Sequence, residues 1–188
     1  MEISKVNKLN IGSGRKRVEG YANMDALNWD GNTDIRHNLT DIPYPFKDNR
    51  IEKIVCHEVL EHLGFRDIRP VLNEFWRILQ KGGNLNIQVP DCGKMMEYYA
   101  EGLVCRCVNH KDTGKGFNAD PNCQECNGKA KVSKTRWEIA FTGAQKHNFD
   151  YHNSFFIKEK MEECLREARF YKISFKEDIN KIKVSCYK

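Results

Sequence analysis

The chain has 188 residues, 40% of them hydrophobic and 30% charged, with a formal net charge of +5. That length suits one domain with its own core and is short for two. No apolar run approaches the roughly 20 residues of a membrane span, and no run of like charges marks a nucleic-acid tail, so a soluble globular chain is expected.

The opening segment from Met1 to Asn10 carries two lysines with no apolar stretch behind them, and it does not read as an export signal. A cytoplasmic location is therefore expected, in which the eight cysteines are reduced thiols or metal ligands rather than disulfides. In chain order, Lys8 to Ile11, Tyr21 to Met24, Ile51 to Cys56 and Asn84 to Val89 are short apolar runs, each followed by Gly, Asp, His or Pro. They are predicted to be buried parallel strands, with a further strand ending near Asn38 and Leu39. Between the last two runs, Ile68, Val71, Leu72, Phe75, Trp76 and Leu79 fall on one helical face behind a cap at Asp67, and Gly82 and Gly83 supply the stop. Strand, helix and strand make a βαβ unit on a parallel sheet.

The segment 95–137 breaks this rhythm, being rich in Gly, Lys, Asn and Cys and poor in aliphatic residues, and it reads as an insertion within a single domain spanning 1–188. Beyond it, Lys158 to Arg169 gathers Met161, Cys164, Leu165 and Ala168 on one helical face. Tyr171 to Phe175 and Ile182 to Tyr187 then alternate as two strands about a polar turn, predicting a terminal hairpin.

The first strand runs into Asn10-Ile11-Gly12-Ser13-Gly14, and a Gly-x-Gly turn lets backbone amides approach a ligand without a Cβ in the way. A dinucleotide fingerprint would need a third glycine and an acid about 20 residues on. Arg17 stands at the third glycine, and Asp25 arrives 11 residues after Gly14, which disfavours a nicotinamide cofactor. An acid at the end of a second strand can accept both ribose hydroxyls of an adenosine cofactor; the alternative is a solvated turn residue. Asn38 and Leu39 could bracket an adenine edge and face, or simply form a turn.

Leu9 to Gly14, then Glu19-Gly20-Tyr21-Ala22-Asn23-Met24-Asp25, Asn38-Leu39-Thr40-Asp41 leading to Tyr44-Pro45-Phe46-Lys47-Asp48-Asn49, and Cys56-His57-Glu58-Val59-Leu60-Glu61-His62 follow in a specific order and spacing. Together they resemble the small, type-11-like class I S-adenosylmethionine (SAM) dependent methyltransferases. Gly143-Ala144-Gln145 and Asp150-Tyr151-His152 resemble a Gly-Gly-Gln and Asp-Phe-His pair in one branch of that family. The resemblance implies an α/β, Rossmann-like sheet of seven strands, mostly parallel with an antiparallel C-terminal hairpin, and SAM lying across the strand ends. It implies that Asn10, Gly12, Ser13 and Gly14 cradle the methionine part, that Asp25 holds the ribose, that Asn38 and Leu39 touch adenine, and that Cys56 and His57 sit near the methionine end. Asn38 stands where an Asp is usual, and Arg169 replaces a helix-ending Gly.

Methyl transfer from a sulfonium needs alignment and a dry pocket more than reactive side chains. A hydroxyl acceptor also needs a base, and imidazole suits neutral pH. His57 and His152 are the candidates, with pocket shaping or surface packing as their alternatives. Glu61 and His62 are expected to orient the start of a helix and line the pocket.

Cys105-Arg-Cys107 and Cys123-Gln-Glu-Cys126, separated by 15 residues, have the spacing of a structural zinc site, with His110 as an alternative ligand. With Asn127 and Gly128, the second pair resembles the knuckles of zinc ribbons and J-domain chaperone repeats. The competing reading is a polar loop with incidental thiols. Cys56, Cys92, Cys164 and Cys186 are expected in the core. Three functions follow: methylation of a small-molecule or glycan-type acceptor, methylation of RNA or DNA gripped by Lys111, Lys115, Lys129, Lys131, Lys134 and Arg136, or an idle SAM-binding module that recruits a partner.

Overall fold

Apolar runs flanked by turn residues become strands of one sheet. The computed structural model describes residues 2–100, 121–124, 141–176, 178 and 181–188, with the side chains of 98–100 excepted. Strands β1 (Lys8–Ile11), β2 (Ala22–Asp25), β3 (Ile35–Arg36) and β4 (Ile51–His57) precede helix α1 (Phe65–Ile78). Strand β5 (Leu79–Pro90), helix α2 (Cys92–Ala100), helix α3 (Lys158–Glu167) and strands β6 (Tyr171–Lys176) and β7 (Lys181–Tyr187) follow. The seven strands lie in the order β3-β2-β1-β4-β5-β7-β6, parallel except for β7, which runs antiparallel to both β5 and β6. This is the expected α/β sheet with its C-terminal hairpin, and no described helix is long and apolar enough to cross a membrane.

Central strands of a parallel sheet are covered on both faces, and Leu9, Asn10 and Ile11 of β1 are accordingly all buried. Ile68, Val71, Leu72, Phe75 and Ile78 supply the buried stripe of α1, while Met161, Leu165 and Ala168 bring α3 into the same core. Cys56 and Cys186 are fully buried there, and Cys92 nearly so.

Two boundaries differ from the sequence reading. Gly64, not Asp67, caps α1, and Asp67 falls in its first turn, where a carboxylate complements the helix dipole. The helix also ends at Ile78, and the Gly82-Gly83 pair lies within β5 instead of after the helix. Gly82, at φ +76°, donates to the Lys188 carbonyl and the Lys188 amide donates to that of Gly83, while the ladder with β4 slips from Ile51↔Leu79 to Lys53↔Asn84. The glycines thus serve an irregularity in the strand, a role that a linear pattern does not separate from a helix stop.

Helix α1 also fixes the loop that closes the β3 side of the sheet. Glu74, 5% exposed, accepts from the Tyr44 amide at 2.6 Å, and Arg77 grips Glu74, Asp48 and the carbonyls of Phe46 and Tyr44. Helix α2 occupies the start of the segment 95–137 and packs Met95 into the interior. Cys123 is half-buried, whereas Cys105, Cys107, Cys126, His110 and the basic residues expected to grip nucleic acid lie outside the described residues.

Candidate active site

In an open parallel sheet, ligands bind beyond the carboxyl ends of the strands where the strand order reverses. Here that point lies between β1 and β4, and the turn leaving β1 forms the floor of a cleft. Gly12 (φ +62°) and Gly14 (φ +53°) adopt a backbone conformation that glycine tolerates best. A Cβ on Gly12 would stand 2.2 Å from Val59 Cγ2, so the close approach to the β4 loop requires glycine as well. The Gly12 amide donates to the Met24 carbonyl at 2.8 Å, and the Gly14 amide to Asp25 Oδ2 at 2.9 Å. Asp25 Oδ1 accepts from the Leu27 amide at 2.9 Å. Each carboxylate oxygen can accept further hydrogen bonds from the cleft.

Asn10 is buried and donates to Asn23 Oδ1 and to the Lys16 carbonyl, so it shapes the turn from behind. Ser13 Oγ is buried with no hydrogen-bond partner. Beyond β3, Asn38 and Leu39 line the cleft; Asn38 Oδ1 accepts from the Thr40 amide, and the Leu39 carbonyl accepts from the Tyr44 hydroxyl. Trp29 lies against the same wall beneath Arg15, and its indole N–H is buried without a partner.

The opposite wall has two sources. Glu58, Val59, His62 and Leu63 follow β4, and His147, Phe149 and Asp150 come from the far end of the chain. Residues 142–154 fold back on themselves. The His152 amide donates to Thr142, the Gln145 amide to the Asp150 carbonyl, and the Lys146 amide to Asp150 Oδ2. A Cβ on Gly143 would meet the Asp150 carbonyl oxygen at 2.0 Å. This arm docks on the 3-10 turn Leu60–His62: the amides of Asn153 and Ser154 donate to the Glu61 carbonyl, Asn153 Nδ2 to that of His62, and Ser154 Oγ to that of Leu63.

The structure brings Gly12, Gly14, Asp25, Asn38 and Leu39 together in the cleft, with Asn10 and Ser13 behind its floor. Cys56 and His57 are placed elsewhere, because successive strand residues face opposite sides and neither side is the cleft. Cys56 is in the core, where burial, reinforced by the Glu61 charge, pushes its thiol far above the usual range. His57 lines a separate groove with Asn86, Gln88, Ser174 and Lys183. Burial lowers its pKa, with Glu58 opposing and Lys181 and Lys183 adding to the effect. His152 packs edge-on against His62, with ring centroids 5.0 Å apart; burial and then the facing His62 hold its pKa below the ordinary 6.5.

Sequence reasoning missed Trp29, His147 and Phe149, which no motif marks, and it expected Glu61 and His62 to orient a helix start and line the pocket, whereas only His62 lines the cleft. Glu61 is 2% exposed. Burial, together with the nearby Glu58 charge, pushes its pKa up to about 8. Glu58 itself, at φ +56°, accepts from Gln88 Nε2 at 2.8 Å and pairs with Lys181 at 3.0 Å.

Comparison with known proteins agrees with this geometry. A family model described as a methyltransferase domain matches residues 16–87, less than half of the chain. The crystal structure of a SAM-dependent methyltransferase from Archaeoglobus fulgidus is similar, with a TM-score of 0.59 at 10% identity, covering 99% of this chain and 88% of that one. Haemonchus contortus phosphoethanolamine N-methyltransferase 2, solved with phosphomonomethylethanolamine and S-adenosylhomocysteine, aligns with a TM-score of 0.55 at 11% identity. That match covers 100% of this chain, which spans 50% of the longer enzyme. Burkholderia thailandensis 1,6-didemethyltoxoflavin-N1-methyltransferase, solved with its acceptor and S-adenosylhomocysteine, gives 0.54 at 12% identity, covering 96% of this chain and 70% of that one. No curated protein matches the sequence. Residues 16–87 thus match a methyltransferase-domain model, and the fold is that of class I SAM-dependent methyltransferases.

Proposed function

We propose that the cleft binds SAM with its methionine part over Gly12, Ser13 and Gly14, its ribose hydroxyls on Asp25 and its adenine between Asn38 and Leu39. The acceptor is a small molecule or a sugar-containing intermediate. The observation that carries this reading is the Gly14–Asp25 hydrogen bond, which locks the glycine turn to the acid and leaves carboxylate lone pairs facing the cleft. The orphaned indole N–H of Trp29, a residue that lines the cleft, fits a polar ligand, since buried polar groups generally have partners. Two structural neighbours, at 11% and 12% identity, are named for small-molecule acceptors, which supports that acceptor class without naming the compound.

SAM supplies an activated methyl group on a positively charged sulfur. The chain's own residues hold the adenosine, exclude water and present the acceptor in line with the departing sulfur. A hydroxyl or amine acceptor would lose a proton on methylation, so a route for that proton is needed beside the cleft. Of the two imidazoles considered as bases, His152 stands beside the cleft wall through its contact with His62, whereas His57 opens on another groove. The acceptor is therefore expected on the side of His62 and His152.

The test is thermal unfolding with SAM, S-adenosylhomocysteine or NAD, because a ligand bound only by the native state raises the melting temperature. A rise with the first two but not with NAD is expected. No rise with either sulfur compound overturns the assignment of the cleft. Transfer of a labelled methyl group to small polyols and glycans, with RNA and DNA run in parallel, then decides the acceptor class.

A further inference from the structure

Glu61 is not explained by cofactor binding. Its carboxylate is 2% exposed, and neither oxygen makes a hydrogen bond. The amides of Val59 and of Glu61 itself act to lower its pKa, against burial and the Glu58 charge, without reaching hydrogen-bond geometry. A buried carboxylate without partners is costly unless something else occupies its lone pairs.

What faces it is a pair of imidazoles. The ligand atoms of Glu61, His62 and His152 all lie within 4.8 Å of one another. His62 Nδ1 is 3.1 Å from the Tyr151 carbonyl, which can only accept, so this nitrogen carries the hydrogen and Nε2 keeps its lone pair. The Phe141 carbonyl lies towards the His152 ring and favours its protonated form, against the larger effects of burial and of His62. Imidazoles that bind metals almost always donate their second N–H to a carbonyl, a carboxylate or water, and His62 shows that arrangement.

We propose that Glu61, His62 and His152 hold one divalent first-row transition-metal ion at the acceptor end of the cleft. Two imidazoles and a carboxylate suit zinc, iron, cobalt or manganese better than magnesium, which prefers oxygen ligands in an octahedron. Three protein ligands leave positions open, and His62 is the member of the set that lines the cleft. Glu58 is outside the set because Gln88 and Lys181 already engage it. The site is assembled from two segments, the turn Leu60–His62 and the docked arm, held together by the hydrogen bonds of Asn153 and Ser154 to the Glu61 and His62 carbonyls.

The role of the ion rests on the methyltransferase reading of the cleft, whereas its binding does not. An acceptor hydroxyl bound at the open position is acidified. Its proton passes to solvent, its oxygen bonds to the methyl carbon, and the C–S bond breaks with the electron pair going to sulfur. The ion thus does the work of a side-chain base, and His152 positions the ion instead of taking the proton.

The experiment uses Co2+ added to chelator-treated full chain, followed by proton NMR in water. Two hyperfine-shifted, exchangeable imidazole N–H signals are expected, one from each histidine, that of His62 being the hydrogen directed at the Tyr151 carbonyl. His62→Gln and His152→Gln should each lose at least one of the two, and Glu61→Gln should lower Co2+ affinity at least ten-fold, with circular dichroism verifying that each variant is folded. Cobalt held by cysteines elsewhere would show a thiolate charge-transfer band and no shifted imidazole protons. That result alone, or shifted signals surviving in both histidine variants, overturns the proposal. Ion binding at this site without a SAM-induced melting shift keeps the site and overturns the cofactor assignment; a melting shift without the imidazole signals does the reverse.

Discussion

The backbone amide of Gly14 donates to the Asp25 carboxylate across 2.9 Å, joining the turn after β1 to the end of β2. Asp25→Ala removes this bond, the Leu27 bond and the proposed ribose acceptor together. Titration calorimetry should show SAM affinity falling at least ten-fold, about 1.4 kcal/mol. Unchanged affinity would move the ribose away from Asp25.

Gly12→Ala places a methyl group 2.2 Å from Val59 Cγ2 at a φ of +62°. Loss of about 2 kcal/mol of stability in urea unfolding is expected, along with weaker SAM binding. Adding Val59→Ala should recover part of the stability but not the backbone strain, a coupling that a double-mutant cycle measures directly. Simple additivity of the two changes would show that the contact is unimportant.

Arg77→Ala leaves the buried Glu74 carboxylate without its cation. The expected cost is about 3 kcal/mol in denaturant unfolding. Lysine at this position should restore only part of it, because the guanidinium reaches Glu74, Asp48 and two carbonyls at once.

Asp34 gives an acid-side prediction. Partial burial would raise its pKa, but bonds from the Asn23 amide and side chain and from Arg17 outweigh burial and hold it below the usual 3.8. The folded chain therefore releases this proton more readily than the unfolded chain does. Asp34 contributes stability above pH 3.8 that is lost as pH falls through the lower folded value. Melting temperatures across the acid range should decline less steeply for Asp34→Asn; an identical slope would show that this carboxylate is not among those that titrate on unfolding.

The strands and helices were legible from short apolar runs and helical stripes: Leu9 to Ile11 is buried throughout as a central parallel strand, Ile51, Ile54 and Cys56 mark the buried positions of β4, and Ile68 to Ile78 repeat at helical spacing. The floor of the cleft was legible for a different reason, since Gly12, Gly14 and Asp25 depend on backbone geometry that few residues can replace. Trp29, His147 and Phe149 were not, because their place in the cleft is set by tertiary docking of irregular segments. The place of His57 was also hidden, as strand alternation gives two faces and here neither opens on the cleft. Glu61 and His62 were visible as a motif, yet only the fold brings His152 to them.

The arm that bears His147 and Phe149 is fastened by Ser154 to Leu63, 91 positions earlier in the chain. The cleft thus has one wall that folds locally with the sheet and another that must arrive from a distance. Any ligand that touches both walls tightens the docking of the arm by the factor by which docking tightens the ligand. The affinity of a ligand that spans both walls is therefore also a gauge of how completely that distant segment has docked.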